Sequence, residues 1–124
     1  MQILIKTIRY EEAKDFLKKQ KANKEQISIN GSCDLYYGAI CFDILIGIVG
    51  TQKINKKIRI KQFYVDKSHR YKGVGSLLIK KVIDNEEHYT CYATLNSFKI
   101  FLKYGFLIKS KNNYNITYME KANV

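Results

Sequence analysis

The sequence predicts an α/β fold, and three of its segments carry that prediction. Residues 57–66 read KIRIKQFYVD, with β-branched and aromatic residues at alternate positions, and they predict a strand. Val74, Leu78 and Val82 recur at helical spacing and predict an amphipathic helix after that strand. Two short strand-like runs at 107–111 and 115–120 flank a turn and predict a closing hairpin.

The remaining elements follow from the same rules. They are expected as a strand at 3–8, a helix at 11–21, strands at 35–42 and 45–54, a strand at 88–95 and a short helix at 97–104. On the first predicted helix, four residues lie on one side: Ala13, Phe16, Leu17 and Gln20. A tight turn is expected at Asp43 and Ile44, whereas the polar stretch 22–32 predicts no regular element.

The apolar residues of the strand at 57–66 change parity along its length. They are, in order, Ile58, Ile60, Phe63 and Val65. A β-bulge near Lys61 and Gln62 would reconcile the two halves. A strand that is buried on both faces is the alternative.

Between that strand and the next helix, residues 70–75 read RYKGVG. A helix that starts at a glycine turn leaves its first N–H groups without intrahelical partners and carries partial positive charge at that end. An anion is the natural ligand there. Gly73 and Gly75 allow close approach to the backbone, and Arg70 and Lys72 add positive charge. The segment therefore predicts a pyrophosphate site.

Two other phosphate-binding loops do not fit this segment. The Walker motif requires Gly-Lys followed by Ser or Thr, whereas Gly75 is followed by Ser76 and Leu77. The dinucleotide fingerprint requires a third glycine where Leu78 stands. What remains is Arg-x-x-Gly-x-Gly, for which an ordinary glycine turn is the structural alternative.

The Arg-x-x-Gly-x-Gly pattern resembles the acetyl-CoA loop of the GNAT-type N-acetyltransferase superfamily, which joins the family's fourth strand to the next helix. The longer run YVDKSHRYKGVGSLLIKKV is similar too, and Gly105-Phe106 resembles the Gly-Phe pair after the family's last helix. This resemblance, over about residues 35–120, implies a mixed, mostly antiparallel central sheet of about six or seven strands. It also implies a splayed, bulged fourth strand and about three flanking helices.

The resemblance implies direct attack of an amine on the thioester of acetyl-CoA in a ternary complex, without a metal. Backbone amides of the loop would hold the pyrophosphate, and the end of the strand would bind the pantetheine arm. The implied cofactor-binding residues are Phe63, Tyr64, Val65, Arg70, Tyr71, Lys72, Gly73, Val74, Gly75 and Ser76. Replacing Arg70 by Ala or Gly73 by Val is predicted to weaken CoA binding.

Two positions depart from the family's pattern. Many relatives carry a glutamate on the fourth strand as the base, whereas residues 57–65 contain no acid here. The tyrosine that many relatives carry on the last helix aligns with Phe101, which cannot donate a proton. Tyr104 lies three residues later on nearly the same helix face and is the candidate catalytic acid.

Other polar residues offer alternatives for the missing base. His69 and His88 can titrate near neutral pH, although a phosphate or solvent contact and an exposed strand end explain them more simply. Asp34 and Asp43 could orient an amine, but their positions at strand boundaries also suit turns. The three cysteines are odd in number and widely spaced, which predicts reduced structural thiols rather than disulfides, a zinc site or nucleophiles.

The chain carries 22 basic and 11 acidic residues, a net charge of +11. CoA accounts for part of the excess, but several basic groups lie elsewhere: Lys18, Lys19, Lys21, Lys24, Lys56, Lys57, Arg59, Lys61, Lys109 and Lys111. This surplus favours an acidic partner, such as RNA, DNA, an aminoacylated tRNA or an acidic protein. A lysine-rich solvated surface from biased composition is the alternative.

Length and hydropathy narrow the class of protein. We expect residues 1–124 to form one domain, because the chain has the length of a single domain. We expect it to be soluble and cytoplasmic, because no apolar run or signal sequence is present. It is expected to be a monomer or a homodimer. Two functions remain open. One is acetyl-CoA-dependent N-acetylation of a primary amine on an unidentified acceptor, for which the charge surplus suggests an acidic or nucleic-acid-linked molecule. The other is a catalytically degenerate basic module that binds nucleic acid or a protein.

Overall fold

The computed structural model describes residues 2–31 and 33–122, and its elements follow the predicted order. The strands described are β1 Leu4–Ile8, β2 Leu35–Cys41, β3 Ile44–Ile54, β4 Lys57–Val65, β5 Tyr89–Ala93, β6 Leu107–Lys111 and β7 Thr117–Lys121. The helices are α1 Tyr10–Lys19, α2 Val74–Val82 and α3 Phe98–Lys103, with short 3-10 helices at Ala22–Glu25 and Lys67–His69.

Within the described ranges, the strands form one sheet in the order β1-β2-β3-β4-β5-β7-β6. β4 and β5 run parallel, and every other neighbouring pair is antiparallel. The predicted mixed, mostly antiparallel sheet with flanking helices is therefore confirmed. None of the helices described is long and apolar enough to cross a membrane.

The helices cover the two faces of the sheet with separate apolar clusters. Val74, Leu78, Ile79 and Val82 of α2 pack with Phe101 of α3 into the larger cluster. On the other face, α1 buries part of its predicted stripe, namely Ala13, Phe16 and Leu17, against Tyr36, Ile48 and Tyr64. Each fully buried aliphatic side chain contributes about 1.5–3 kcal/mol, so the apolar spacing of α1 and α2 fixes how both helices dock.

The turn between β2 and β3 lies one residue earlier than predicted. Phe42 and Asp43 occupy it with φ of 50° and 63°, and Cys41 pairs directly with Ile44. A two-residue hairpin with both φ values positive suits the right-handed twist of its strands. The prediction at Asp43 and Ile44 was wrong because Phe42, which is 85% exposed, has the side chain of a strand residue.

The bulge predicted in β4 is confirmed. Gly50 of β3 pairs with Lys61, while Ile48 pairs with Tyr64, so β4 uses one more residue than β3 across this stretch. Gln62 has a φ of 54°, outside the strand region. The extra residue turns Tyr64 toward the α1 side and brings Phe63 against the α2 side.

β4 and β5 separate where the bulge begins. Their paired residues end at Ile60 and Cys91, although β4 continues to Val65 and β5 to Ala93. The unpaired ends leave a gap in the sheet beside the start of α2. The splayed fourth strand that the resemblance implied is therefore present, and it creates the site.

Candidate active site

A cleft of about 370 Å³ lies in the gap between the diverging ends of β4 and β5. The end of β4, the loop before α2, the segment 94–97 and the 3-10 helix Ala22–Glu25 all contribute to its walls. Nine of the sequence-assigned cofactor residues line it: Phe63, Tyr64, Val65, Arg70, Tyr71, Gly73, Val74, Gly75 and Ser76. Lys72, the remaining one, is exposed and does not line it.

The first turn of α2 faces this cleft without a cap. Gly73 is the N-cap residue, with a φ of 85°, and no side chain bonds to the turn that follows it. A Cβ atom added at Gly73 would meet no protein atom within 4 Å. The amides of the first helical turn therefore have open space above them, which an anion can occupy.

Gly75 has a different role from the one its place in the motif suggested. A Cβ there would lie 2.9 Å from Ile100 Cδ1 and 3.0 Å from Phe63 Cζ. Both atoms are on side chains that pack against α2, one from α3 and one from β4, so the space beside Gly75 is filled. Gly75 thus permits close packing behind the loop, whereas Gly73 leaves room above it.

Arg70 lines the cleft but is held by protein atoms instead of being mobile. Its Nε donates to Val65 O at 2.9 Å, and its guanidinium lies 4.8 Å from the Tyr64 ring centroid. Nη1 and Nη2 donate to the two carboxylate oxygens of Glu25 at 2.7 and 3.2 Å. The side chains of Arg70 and Glu25 are 19% and 17% exposed, so this bidentate pair is largely withdrawn from water.

Glu25 accepts two further hydrogen bonds. The Tyr64 hydroxyl donates to Oε2, and Asn96 Nδ2 donates to Oε1 at 3.0 Å. The hydrogen bonds from Arg70 are the main reason that the pKa of Glu25 lies below its ordinary value of 4.5. Burial raises the pKa of Tyr64 to about 12, so its hydroxyl remains a donor. Glu25 thereby joins the loop, β4 and the segment after β5 across the cleft.

Gln62, the polar residue at the bulge, faces a loop instead of the cleft. It is 8% exposed and accepts a hydrogen bond from the Tyr36 hydroxyl. Its amide Nε2 donates to Ser28 O at 2.8 Å. Gln62 is therefore occupied in anchoring the segment after the first 3-10 helix and is not free to act on a substrate.

The proposed catalytic residue Tyr104 is not among the described residues that line the cleft. It is half-buried at the end of α3, with Lys103 Nζ 5.4 Å from its ring centroid. Phe101 is buried against Phe63 and Phe106. The role of Tyr104 as an acid stays a prediction.

The other candidates divide between the cleft and the rest of the molecule. His69 lines the cleft, and its Nδ1 lies 2.8 Å from Asp66 Oδ2. His88, Asp34 and Asp43 do not line it. Asp34 instead accepts a hydrogen bond from the Lys53 amide at 2.8 Å, as a strand-boundary residue would.

Sequence reasoning did not identify Glu25 or Asn96 as site residues. Glu25 lies 45 residues before Arg70, in the stretch for which no element was predicted. Asn96 lies in the turn after β5. The signal that could have pointed to Glu25 is that it is the one acid between Asp15 and Asp34, directly after four lysines, which is weak on its own.

No group of His, Cys, Asp and Glu side chains within residues 2–31 and 33–122 is arranged to hold a metal ion. The cleft offers uncapped backbone amides, apolar walls and one fully hydrogen-bonded carboxylate. With the splayed parallel pair, these are the features that the resemblance implied for an acyltransferase.

Comparison with known families gives the same class. The family model described as acetyltransferase (GNAT) domain matches residues 4–119. The chain therefore belongs to the GNAT acetyltransferase family, and the resemblance noted from its loop is confirmed. No curated protein matches the chain at a significant level.

Solved structures share the fold at low sequence identity. An N-acetyltransferase from Staphylococcus aureus Mu50 superposes with a TM-score of 0.79 at 14% identity, over 100% of both chains. The PaiA N-acetyltransferase from Thermoplasma acidophilum, solved with coenzyme A, gives 0.74 at 17% identity, over 98% of this chain and 99% of that one. The N-acetylglutamate synthase from Neisseria gonorrhoeae, solved with coenzyme A and N-acetyl-glutamate, gives 0.77 at 13% identity, over 100% of this chain and 36% of that one.

Proposed function

We propose that this chain transfers an acetyl group from acetyl-CoA to a primary amine in a ternary complex. The observation that carries the proposal is the uncapped first turn of α2, with open space above Gly73, beside the gap between β4 and β5. The pyrophosphate would accept hydrogen bonds from the amides of that turn. The pantetheine arm would enter the gap, where the end of β4 has backbone groups that β5 does not bond.

In this reaction, the amine nitrogen attacks the thioester carbon, the carbon–sulfur bond breaks, and the thiolate leaves while the amine loses a proton. Glu25 is poorly suited to take that proton, because its oxygens already accept hydrogen bonds from Arg70, Tyr64 and Asn96. His69 is the imidazole of the cleft, and its contact with Asp66 orients the ring. We therefore assign proton acceptance to His69 or to a water molecule.

Binding can be tested by calorimetric titration with acetyl-CoA and, separately, with CoA. We expect saturable binding in the micromolar range, and at least tenfold weaker binding for Gly73→Val, because its side chain fills the space above the helix end. Arg70→Ala should also weaken binding, because it leaves the Glu25 carboxylate unpaired beside an anionic ligand. Lys80→Ala, on the exposed side of α2, is the matched control.

Transfer can be tested by following CoA release in the presence of a panel of primary amines. His69→Gln should lower kcat with little change in acetyl-CoA affinity if the imidazole accepts the proton. Tyr104→Phe tests the predicted acid, and loss of kcat with unchanged acetyl-CoA affinity is the result expected for that role. Absence of binding at millimolar acetyl-CoA would overturn the proposal as a whole.

A second candidate is a basic binding module that has lost transfer chemistry. The observation that favours it is the cleft's carboxylate, which is fully hydrogen-bonded and so unavailable as a base. This candidate expects CoA to bind without turnover for any amine tested. Measurable CoA release that depends on an amine would exclude it.

A further inference from the structure

The face of the sheet that carries α1 is bare over its β5–β7–β6 half. In the described part of the chain, α1 packs with Tyr36 of β2, Ile48 of β3 and Tyr64 of β4, and no helix continues beyond them. Tyr89 and Cys91 of β5 belong to the core under α2, so the alternate residues of β5 point to the α1 side. We call this uncovered region, together with the adjoining first half of β4, the bare face. Its residues are Lys57, Arg59, Lys61, Thr90, Tyr92, Tyr118 and Glu120.

Two tyrosines stand side by side on the bare face. Tyr92 and Tyr118 are directly paired across β5 and β7, and their ring centroids lie 5.0 Å apart. The Tyr92 side chain is 56% exposed. The exposed part of this ring offers an apolar surface on which a planar group can stack.

Basic residues of β4 border these tyrosines. The Arg59 guanidinium lies 5.2 Å from the Tyr92 ring centroid, and Lys61 Nζ donates to the neutral Gln52 at 3.2 Å. Within residues 2–31 and 33–122, neither Arg59 nor Lys61 forms an ion pair. Glu120 is an acid of the same face, but Lys57 pairs with it at 3.3 Å and the Tyr118 hydroxyl donates a hydrogen bond to it at 2.9 Å.

Arg59 also lines a small pocket on this face. The pocket has a volume of about 200 Å³ and is bordered by Lys57, Thr90 and Tyr118 as well. Elsewhere on the same side chain, Arg59 Nε is buried without a hydrogen-bond partner. Because an unpaired buried donor is costly, an anionic oxygen that reached the Arg59 guanidinium would supply an acceptor that the protein does not.

We propose that the bare face binds single-stranded nucleic acid, with one base stacked on Tyr92 and a backbone phosphate at Arg59. An exposed ring beside basic side chains that have no acidic partner is the combination that binds unpaired bases, since every base has a flat face and every nucleotide a phosphate. A duplex fits less well because its bases already stack on each other. The net charge of +11 adds a long-range attraction for a polyanion.

Binding at the bare face does not depend on acetyl transfer, so it is measured without acetyl-CoA. The probe is a fluorescein-labelled oligouridylate of about 12 nucleotides, followed by fluorescence anisotropy from about 50 to about 200 mM salt. An oligothymidylate of the same length tests whether the ribose hydroxyl matters. We expect saturable binding that weakens with salt and that exceeds binding of a duplex.

Two variants and two matched controls locate the contact. Tyr92→Thr keeps a strand-forming side chain and should weaken binding about tenfold through loss of a stack. Arg59→Gln should weaken binding and lower the slope of log affinity against log salt by about one. Tyr114→Thr, at a 75% exposed turn position, and Lys18→Gln, on the exposed side of α1, should leave affinity nearly unchanged.

Four results would overturn the proposal. One is no binding of the oligonucleotide at low salt. Another is an equal loss of affinity in Lys18→Gln and Arg59→Gln, which would indicate diffuse electrostatic attraction. Equal binding of polyglutamate that Tyr92→Thr does not weaken would point to an acidic protein partner. A dimer in light scattering that Tyr92→Thr dissociates would assign the bare face to a second copy of the chain.

Discussion

At the residue scale, Glu25 determines what the cleft can do. Its carboxylate accepts hydrogen bonds from a guanidinium, a phenol and an amide, so it stabilises the arrangement of three segments instead of accepting a proton. The pair with Arg70 is largely withdrawn from water. Removing one partner therefore leaves the other charge partly buried and without an opposite charge beside it, which destabilises the fold. The Glu25–Arg70 pair therefore stabilises the fold of the cleft and does not take part directly in proton transfer.

Glu25→Ala should lower the free energy of unfolding by about 1–3 kcal/mol. The variant leaves the Arg70 guanidinium without its carboxylate partner and removes the acceptor of the Tyr64 hydroxyl. Chemical denaturation at neutral pH measures the loss. Glu11→Ala, an exposed acid of the first turn of α1, is the control and should cost less than about 0.5 kcal/mol. A loss no larger than that of Glu11→Ala would show that the pair is too well solvated to stabilise the fold.

The sequence predicted Arg70 as a site residue but not its partner. Local pattern identifies a glycine turn before a helix, because both are defined by neighbours in the chain. The partner of Arg70 is set by where a distant, irregular segment lands after folding, and no periodicity records that. The spacing of Tyr104 from Phe101 likewise does not show which helix face lines the cleft, and its role as an acid stays a prediction.

At the element scale, the phase slip in β4 predicted a bulge because side-chain parity is strict in a strand. The segment before β2 was unpredictable for the opposite reason. It is held by Gln62, through hydrogen bonds with Tyr36 and Ser28, and none of these contacts is local in sequence. The turn at Phe42 and Asp43 was missed by one residue because non-glycine residues with positive φ carry little sequence signal.

The close packing of α2 against α3 at Gly75 is testable with a double-mutant cycle. Gly75→Ala should destabilise the protein by about 1–3 kcal/mol, because the new methyl group would lie 2.9 Å from Ile100 Cδ1. Ile100→Val removes that atom, so the double variant should recover part of the loss. Thermal or chemical unfolding of the four proteins measures the coupling, expected at about 0.5–3 kcal/mol.

Gly73→Ala combined with Ile100→Val is the control for that cycle. Its cost of about 1–2 kcal/mol arises from the left-handed backbone and not from contact with Ile100, so no coupling is expected. Coupling of equal size in both cycles would mean that Ile100→Val perturbs the whole loop, and Gly75 would lose its assigned packing role.

At the scale of the whole molecule, topology and family followed from sequence more securely than chemistry did. Alternating patterns sufficed for the strands and the bulge, and the resemblance of one loop to a family implied the mixed sheet and its splayed strand. The sequence does not identify the acceptor, because its recognition depends on which faces of the sheet the helices leave uncovered. Net charge alone does not distinguish a basic surface from a binding site. The bare face and the cleft lie on one sheet, so their contributions can be separated by variants.

The stability of the molecule should depend on pH through Glu25. Because its pKa is lowered from 4.5 in the folded protein, its ionised form stabilises the fold fully above about pH 4.5, and this contribution is lost as the pH falls through the lower, folded-state value. Chemical unfolding of wild type and Glu25→Gln should therefore give a difference that is constant from about pH 6 to 8 and shrinks in acid. Asp66 and Glu120 also have lowered pKa values, but both proteins contain them, so their effects cancel. A difference that persists or grows as the pH falls would mean that the hydrogen bonds to Glu25 do not favour its charged form.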